Sequence, residues 1–225
     1  MNRVEIIRKV LFILIWYFIL YNLVFFILAP EIYQDTLDMI GVGMIFSIGI
    51  LDTIIRPFSE KEREVGFDKY TGLLFIAFLM SPVILALSFH ENQLFIAKYI
   101  PLWNSLPVAL MGYLLLIIGG IFTIVGRWQI GKFGSGILVI EKEHQLMKEG
   151  IYKFVRHPIY AGGILGSFGS ILIFRCLFFG SFGFLYNFFV LYVRLKQEEV
   201  ILVEEFGEDY LNYMKTTKRL IPFLF

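Results

Sequence analysis

Four apolar runs, at Val10–Ala29, Leu37–Ile55, Tyr70–Phe89 and Ser105–Gly126, decide what this chain can fold into. Each approaches or exceeds the roughly 20 residues that an α-helix needs to cross about 30 Å of hydrocarbon. With 58% of its residues hydrophobic, 25 phenylalanines and only 17% charged residues, the chain must place these runs somewhere, and the lipid bilayer is that place. The expected fold is all-α and polytopic.

A fifth apolar stretch, Pro158–Val193, is too long for one crossing and is interrupted at Arg175-Cys176, where a charge at mid-bilayer would be costly. It reads as two helices of about 17 residues each, short enough for a tilted or shallow hairpin. The chain therefore divides into N-terminal membrane helices, residues 1–126 with about four spans, and a region 127–225 that holds the hairpin and a tail, giving about six transmembrane helices in all. Under that count every lysine and arginine except Lys98 and Arg175 falls on one side. By the positive-inside rule both termini and the ends of the hairpin face the cytoplasm.

Within the spans, Asp52 lies four residues before Arg56, a pairing that one helix supplies by itself. Gly162 and Gly166, also four apart, let their helix come close to a neighbour or to a ligand. Pro101 and Trp103 suit an outer interfacial loop over His90–Asn104, with His90 at its surface. Gly131, Gly134 and Gly136 read as a flexible turn. Past Arg194 the last apolar run becomes amphipathic and leaves the membrane. Gly207 fits its C-cap, and a second short cytoplasmic helix carries Tyr210 and Tyr213 before Pro222.

The near-neutral charge of +1 gives no electrostatic reason to expect nucleic acid as a partner. A cleavable signal peptide is not expected, because the first apolar run is long and no small-residue cleavage pattern follows it. Cys176 is the single cysteine, so a thiolate cage is out of reach. The histidines are His90, His144 and His157, and His90 lies across the membrane from the others by the charge argument, so no metal ligand set assembles. No Gly-x-Ser-x-Gly elbow is present for hydrolase chemistry.

What remains is a clustering of polar groups. Arg156-His157-Pro158-Ile159-Tyr160 stands at one end of the hairpin and Arg194, Glu198 and Glu199 at the other, so both groups meet at one membrane face. Packing alone would disperse such ionisable residues. Arg194 and Glu198 share a helix face, with Glu199 turned about 100° away. Arg before Glu at this spacing supports a helix weakly, so the two read better as ligand-binding charges: a guanidinium to grip a carboxylate, a carboxylate to hold an ammonium. Pro158 suits the first turn of the entering helix. The residues alone leave His157 open between proton shuttle, hydrogen-bond donor and interfacial residue, Arg156 open to snorkelling, and Tyr160 open between stacking and anchoring.

The blocks His144-Gln145-Leu146-Met147, Gly150-Ile151-Tyr152, Arg156 to Tyr160, Arg194 with Glu198-Glu199, and Phe206-Gly207 with Tyr210 and Tyr213 occur in fixed order. Over residues 137–222 this pattern resembles the isoprenylcysteine carboxyl methyltransferase family and its relatives among membrane phospholipid methyltransferases. The resemblance implies S-adenosylmethionine at the cytoplasmic face, with His144, Gln145, Leu146, Met147, Tyr152, His157, Pro158, Ile159 and Tyr160 at the cofactor and the C-terminal helix completing its site. It implies Glu198 at the cofactor's amino acid part and Arg194 at the acceptor, with Arg194 and His157 as the catalytic pair. The acceptor would be lipid-like or prenylated and would enter from the bilayer. An ionised carboxylate acceptor needs no general base, whereas a neutral amine or hydroxyl would call on His157 or Glu199. Rival readings are a phospholipid or other small-lipophile methyltransferase, an NADPH-dependent enzyme like the membrane sterol reductases, which share an Arg-His-Pro-x-Tyr pattern, and a non-catalytic membrane scaffold or transporter.

Overall fold

The computed structural model describes residues 3–56, 69–134 and 145–220. Among these the chain is helical, and its only bridge of strand type joins Val155 to Lys218. The first crossing starts as α1 (Arg3–Ile13), passes through a π-helical stretch at Leu14–Leu20 and continues as α2 (Tyr21–Leu28). Proline at position 30 ends it by opening a 3₁₀ turn, and Asp35 then caps α3 (Thr36–Ile55) by accepting the Asp38 N–H at 3.0 Å. α4 (Lys69–Glu91) contains Pro82. The amide missing at Pro82 leaves the Phe78 carbonyl short of a donor, and the Ser81 hydroxyl fills in at 2.7 Å. With its hydrogen so used, Ser81 Oγ accepts from the Tyr21 hydroxyl, 2.5 Å away across the gap to α2.

α5 (Leu106–Ile130) and α6 (Pro158–Ile173) both carry proline in their first turn and lie antiparallel in close contact. Glycine makes that approach possible. A Cβ at Gly162 would sit 2.4 Å from the Gly119 carbonyl oxygen, and one at Gly169 would sit 2.7 Å from that of Gly112. α7 (Phe178–Phe206) returns across the bundle, ends at Gly207 with φ +52°, and is followed by α8 (Glu208–Thr216).

Among the described residues five stretches are long and apolar enough to cross a membrane: Val4–Leu28, Thr36–Ile55, Thr71–Tyr99, Leu106–Ile130 and Phe178–Phe206. Their outward faces are sheathed in uncovered side chains such as Phe26, Leu114 and Phe182, a surface that only lipid would cover. The chain is an integral, multi-pass membrane protein. Several details differ from the sequence reading. The hairpin is unequal: α6 has 16 residues, but α7 runs 29 without a break, because no proline or glycine interrupts it where it turns amphipathic. His90–Asn104 is largely helical through Tyr99, and His90 sits in the last turn of α4 against the Leu28 carbonyl. Asp52 meets a guanidinium from another helix, Arg127 on α5, at 2.8 Å.

Arg175 closes the α6–α7 turn at φ +51°, a conformation that glycine usually supplies. Its guanidinium is buried against Asp38 at 2.5 Å and Asp35 at 3.5 Å, so it staples the turn to the start of α3. Glu91 caps α7 at the same end by accepting the N–H groups of Leu177, Phe178 and Phe179. At the other end of the bundle Lys9 binds the Ile54 and Arg56 carbonyls at 2.8 and 2.6 Å and closes the C-terminus of α3.

Candidate active site

Pro158 starts α6 at the end of the bundle where α5 finishes and where α7 carries Arg194, Glu198 and Glu199. The two polar groups therefore meet, with His157 Nδ1 3.8 Å from Glu198 Oε1 and His157 Nε2 3.3 Å from Glu199 Oε1. A cavity of about 470 Å³ opens between them. Gln145, Leu146, Met147, Tyr152, His157, Pro158, Ile159, Tyr160, Arg194 and Glu198 all line it. His144 lies outside the described residues, as do Gly136 and Pro222.

The two adjacent glutamates do different work. Glu199 is buried and receives Arg156 Nη2 at 2.8 Å, Arg219 Nη2 at 2.6 Å and the His157 ring. Arg156 is not a snorkelling residue: it is buried, and its remaining N–H groups go to the Met214 and Thr217 carbonyls, so it closes the tail onto the bundle. Glu198 keeps 29% of its side chain exposed and accepts the Tyr160 hydroxyl. Tyr160 in turn accepts Arg194 Nε at 3.1 Å, while Arg194 Nη1 donates to Thr71 Oγ1 on α4 at 2.8 Å. Arg194 and Glu198 are thus linked through the Tyr160 hydroxyl.

The C-terminal helix supplies the far wall. Tyr213 donates to the Tyr152 carbonyl at 2.5 Å, and Tyr152 donates to the Gly126 carbonyl at 3.2 Å. Tyr210 lines the cavity, is 1% exposed, and its hydroxyl has no partner among the described residues. Burial pushes the pKa of all three phenols up, so they stay neutral hydroxyls. A buried hydroxyl without a partner in a cavity wall is what a polar ligand with several acceptors would satisfy.

A second cavity, of about 830 Å³ and mostly apolar, adjoins the first. Asp52, Leu74, Phe78, Thr123, Gly163 and Asn187 line both. Thr71 and Ser88 on α4 mark its two ends, which the helical rise sets roughly 25 Å apart.

The family model for phospholipid methyltransferases matches residues 108–209. Protein-S-isoprenylcysteine O-methyltransferases are among the curated relatives. The one from Rattus norvegicus is 30% identical over 115 residues, 50% of this chain and 40% of that one. The one from Schizosaccharomyces pombe is 36% identical over 107 residues, 43% of this chain and 42% of that one. Form B from Arabidopsis thaliana is 25% identical over 198 residues, 74% of this chain and 99% of that one. The chain thus spans about two-fifths of the length of the rat and fission yeast relatives. The solved structure of a eukaryotic intramembrane Ras methyltransferase, isoprenylcysteine carboxyl methyltransferase, superposes with a TM-score of 0.64 at 20% identity, over 94% of this chain and 73% of that one.

The chain is similar to the isoprenylcysteine carboxyl methyltransferases in sequence and in fold. The segment matched by the family model runs from α5 to the start of α8, so it contains both ends of the hairpin, while Asp52, Leu74, Phe78, Tyr210 and Tyr213 of the cavity wall lie outside it. Asp52 and Asn187 also line the cavity, and Thr71 and Arg219 bind side chains of the site; of these, the sequence reading singled out only Asp52, as a partner of Arg56. Thr71 and Asn187 lie in apolar runs, and Arg219 reads as one of many basic residues in a tail. Asn187 gave a signal open to a reader, as Asp52 did, since polar residues in a span tend to be functional.

Proposed function

We propose that this protein is an S-adenosylmethionine-dependent methyltransferase that O-methylates the carboxylate of an isoprenylcysteine-like or other lipid-like acceptor at the cytoplasmic face of a membrane. The observation that carries the reading is the placement of the more polar of two cavities, where the Tyr210 hydroxyl has no partner among the described residues, directly beside a larger and more apolar one. A hydrophilic donor and a lipophilic acceptor have each a compartment of their own. S-adenosylmethionine, when bound, supplies a methyl group on a sulfonium.

The chain's own residues divide the remaining tasks. Glu198 has no arginine or lysine within ion-pair distance among the described residues, so its carboxylate serves a cationic ammonium. Gln145 to Met147, Tyr152 and His157 to Tyr160 wall the donor, and Tyr210 donates to it. Arg194 grips the acceptor's carboxylate, which is ionised at neutral pH and needs no base. The acceptor's chain lies along α4 in the apolar cavity, which residues 1–126 largely build, while 127–225 supply the donor site. Attack then depends on alignment, and two opposite charges that neutralise one another react more readily where water is scarce.

A second reading rests on the match to phospholipid methyltransferases over residues 108–209: transfer to a lipid amine, with loss of a proton. Incubating the full-length protein in nanodiscs with labelled S-adenosylmethionine, prenylcysteine analogues and total membrane lipid decides between them. A base-labile methyl ester is expected. A labelled N-methyl lipid selects the second reading, and binding of NADPH without binding of S-adenosylmethionine rejects both.

A further inference from the structure

The tail after α8 does more than end the chain. Its backbone runs beside the segment that leads into α6: Arg156 N–H donates to the Lys218 carbonyl at 2.8 Å and His157 N–H to the Arg219 carbonyl at 3.1 Å. Leu220 is buried in a small apolar cluster with Ala161 and Leu195, which pins the tail across α6 and α7. The Arg219 guanidinium donates to both oxygens of Glu199, Nε to Oε1 at 3.2 Å and Nη2 to Oε2 at 2.6 Å. Arg156 donates to Oε1 through Nε at 3.1 Å and Nη2 at 2.8 Å. Two guanidiniums on one carboxylate leave it ionised, an acceptor without a proton to offer.

Glu199 Oε1 also faces His157 Nε2 at 3.3 Å. Two lone pairs would repel one another, so the nitrogen facing this carboxylate carries the hydrogen. The other ring nitrogen, Nδ1, is 3.8 Å from Glu198, beyond hydrogen-bond reach, and His157 lines the first cavity.

We propose that the C-terminal tail, acting through Arg219 and Glu199, fixes His157 as its Nε2–H tautomer and so presents the Nδ1 lone pair to the cavity as an acceptor for a hydroxyl or N–H donor of the bound nucleoside. Arg219 is then a positioning residue, three side chains in line with the ligand. The second half rests on the reading of the cavity as an S-adenosylmethionine site; the tautomer does not. An imidazole offered this way discriminates in favour of a ligand that carries a donor, because a donorless ligand would leave the buried lone pair unpaired.

The test is nitrogen-15 NMR of histidine-labelled full-length protein in nanodiscs, with the His157 signals assigned by loss in His157→Gln, together with calorimetric titration of S-adenosylmethionine. In the wild type Nε2 is expected to be protonated and Nδ1 not. Arg219→Gln is expected to mix the two tautomers and weaken S-adenosylmethionine about tenfold, the effect of one hydrogen bond misaligned. Arg219→Lys keeps the charge beside Glu199 and should restore most of both. Lys215→Gln, on the exposed face of α8 with Asn212 as its partner, controls for changes to the tail and should move neither. A wild-type His157 with hydrogen on Nδ1, or an Arg219→Gln protein of normal helicity with an unmixed Nε2–H tautomer, overturns the proposal. A mixed tautomer with unchanged affinity overturns the cofactor half. Failure of the wild type to bind S-adenosylmethionine overturns the functional reading above, while the tautomers still decide whether Arg219 positions His157.

Discussion

Tyr160→Phe removes one oxygen atom and leaves the ring that packs beside His157, which makes it a clean probe of the link between Arg194 and Glu198. Two hydrogen bonds disappear, and the two ends respond differently. Glu198 is 29% exposed on its side chain, so water replaces the phenol at little cost. Arg194 is only 4% exposed, and its Nε loses the acceptor at 3.1 Å while Nη1 keeps Thr71 at 2.8 Å. A buried charged donor left short of a partner costs about 1–3 kcal/mol. Part of that appears as lower stability. The part that bears on function comes from a guanidinium that has lost one of its fixed points, and alignment errors near reacting groups cost about 10- to 100-fold in rate. We therefore predict a fall of about 10- to 100-fold in kcat/KM for the acceptor, with S-adenosylmethionine affinity changed less than about threefold. Steady-state methyl transfer across acceptor concentrations and calorimetric titration of the cofactor measure both. Turnover within about twofold of wild type, in a protein of unchanged melting temperature, would show that the phenol does not orient Arg194.

Glu198→Gln should weaken S-adenosylmethionine by about 10-fold or more, since an ammonium loses its counter-charge, whereas Arg194→Ala should spoil acceptor use while the cofactor still binds; titration and turnover of both variants would contradict the assignment if the two behaved alike. Arg175→Gly relieves a left-handed backbone worth about 1–2 kcal/mol but strands Asp38, which is fully buried, at about 3–5 kcal/mol, so the melting temperature should fall, and the double variant with Asp38→Asn should recover most of the loss. Gly162→Leu should force α5 and α6 apart, because even a Cβ there meets the Gly119 carbonyl at 2.4 Å; loss of the folded protein in detergent is expected, and near-normal yield and melting would deny the close packing.

The sequence announces the spans because apolar runs of this length have one stable environment, and it announces the cavity because the blocks around Arg156 and Glu198 lie at ends of helices whose direction the bilayer fixes. Pairing is less legible. Asp52 has a ready partner by spacing in Arg56, but a half-buried guanidinium from α5 meets it, and nothing in a linear pattern says which helices are neighbours. Tyr160 illustrates the same limit: a phenol next to His-Pro suggests ring chemistry, and only the crossing of α6 with α7 brings its hydroxyl between Arg194 and Glu198. The length of α7 was hidden for a different reason. Composition changes at Arg194, where the helix leaves the apolar region, but the backbone hydrogen bonding that defines the helix does not change there.

Adjacent glutamates on one helix point about 100° apart, and this rotation decides what each can do. Glu199 turns toward the tail and is compensated by Arg156 and Arg219, so a ligand that tried to recruit it would have to displace two guanidiniums from a buried carboxylate. Glu198 turns toward the cavity, holds a neutral phenol and stays partly exposed, so a cationic group can reach it by displacing water alone. The first charge is already committed to the fold and the second is available. Because His157 touches the first and faces the second, the rigid half of the pair fixes the geometry against which the available half meets its ligand.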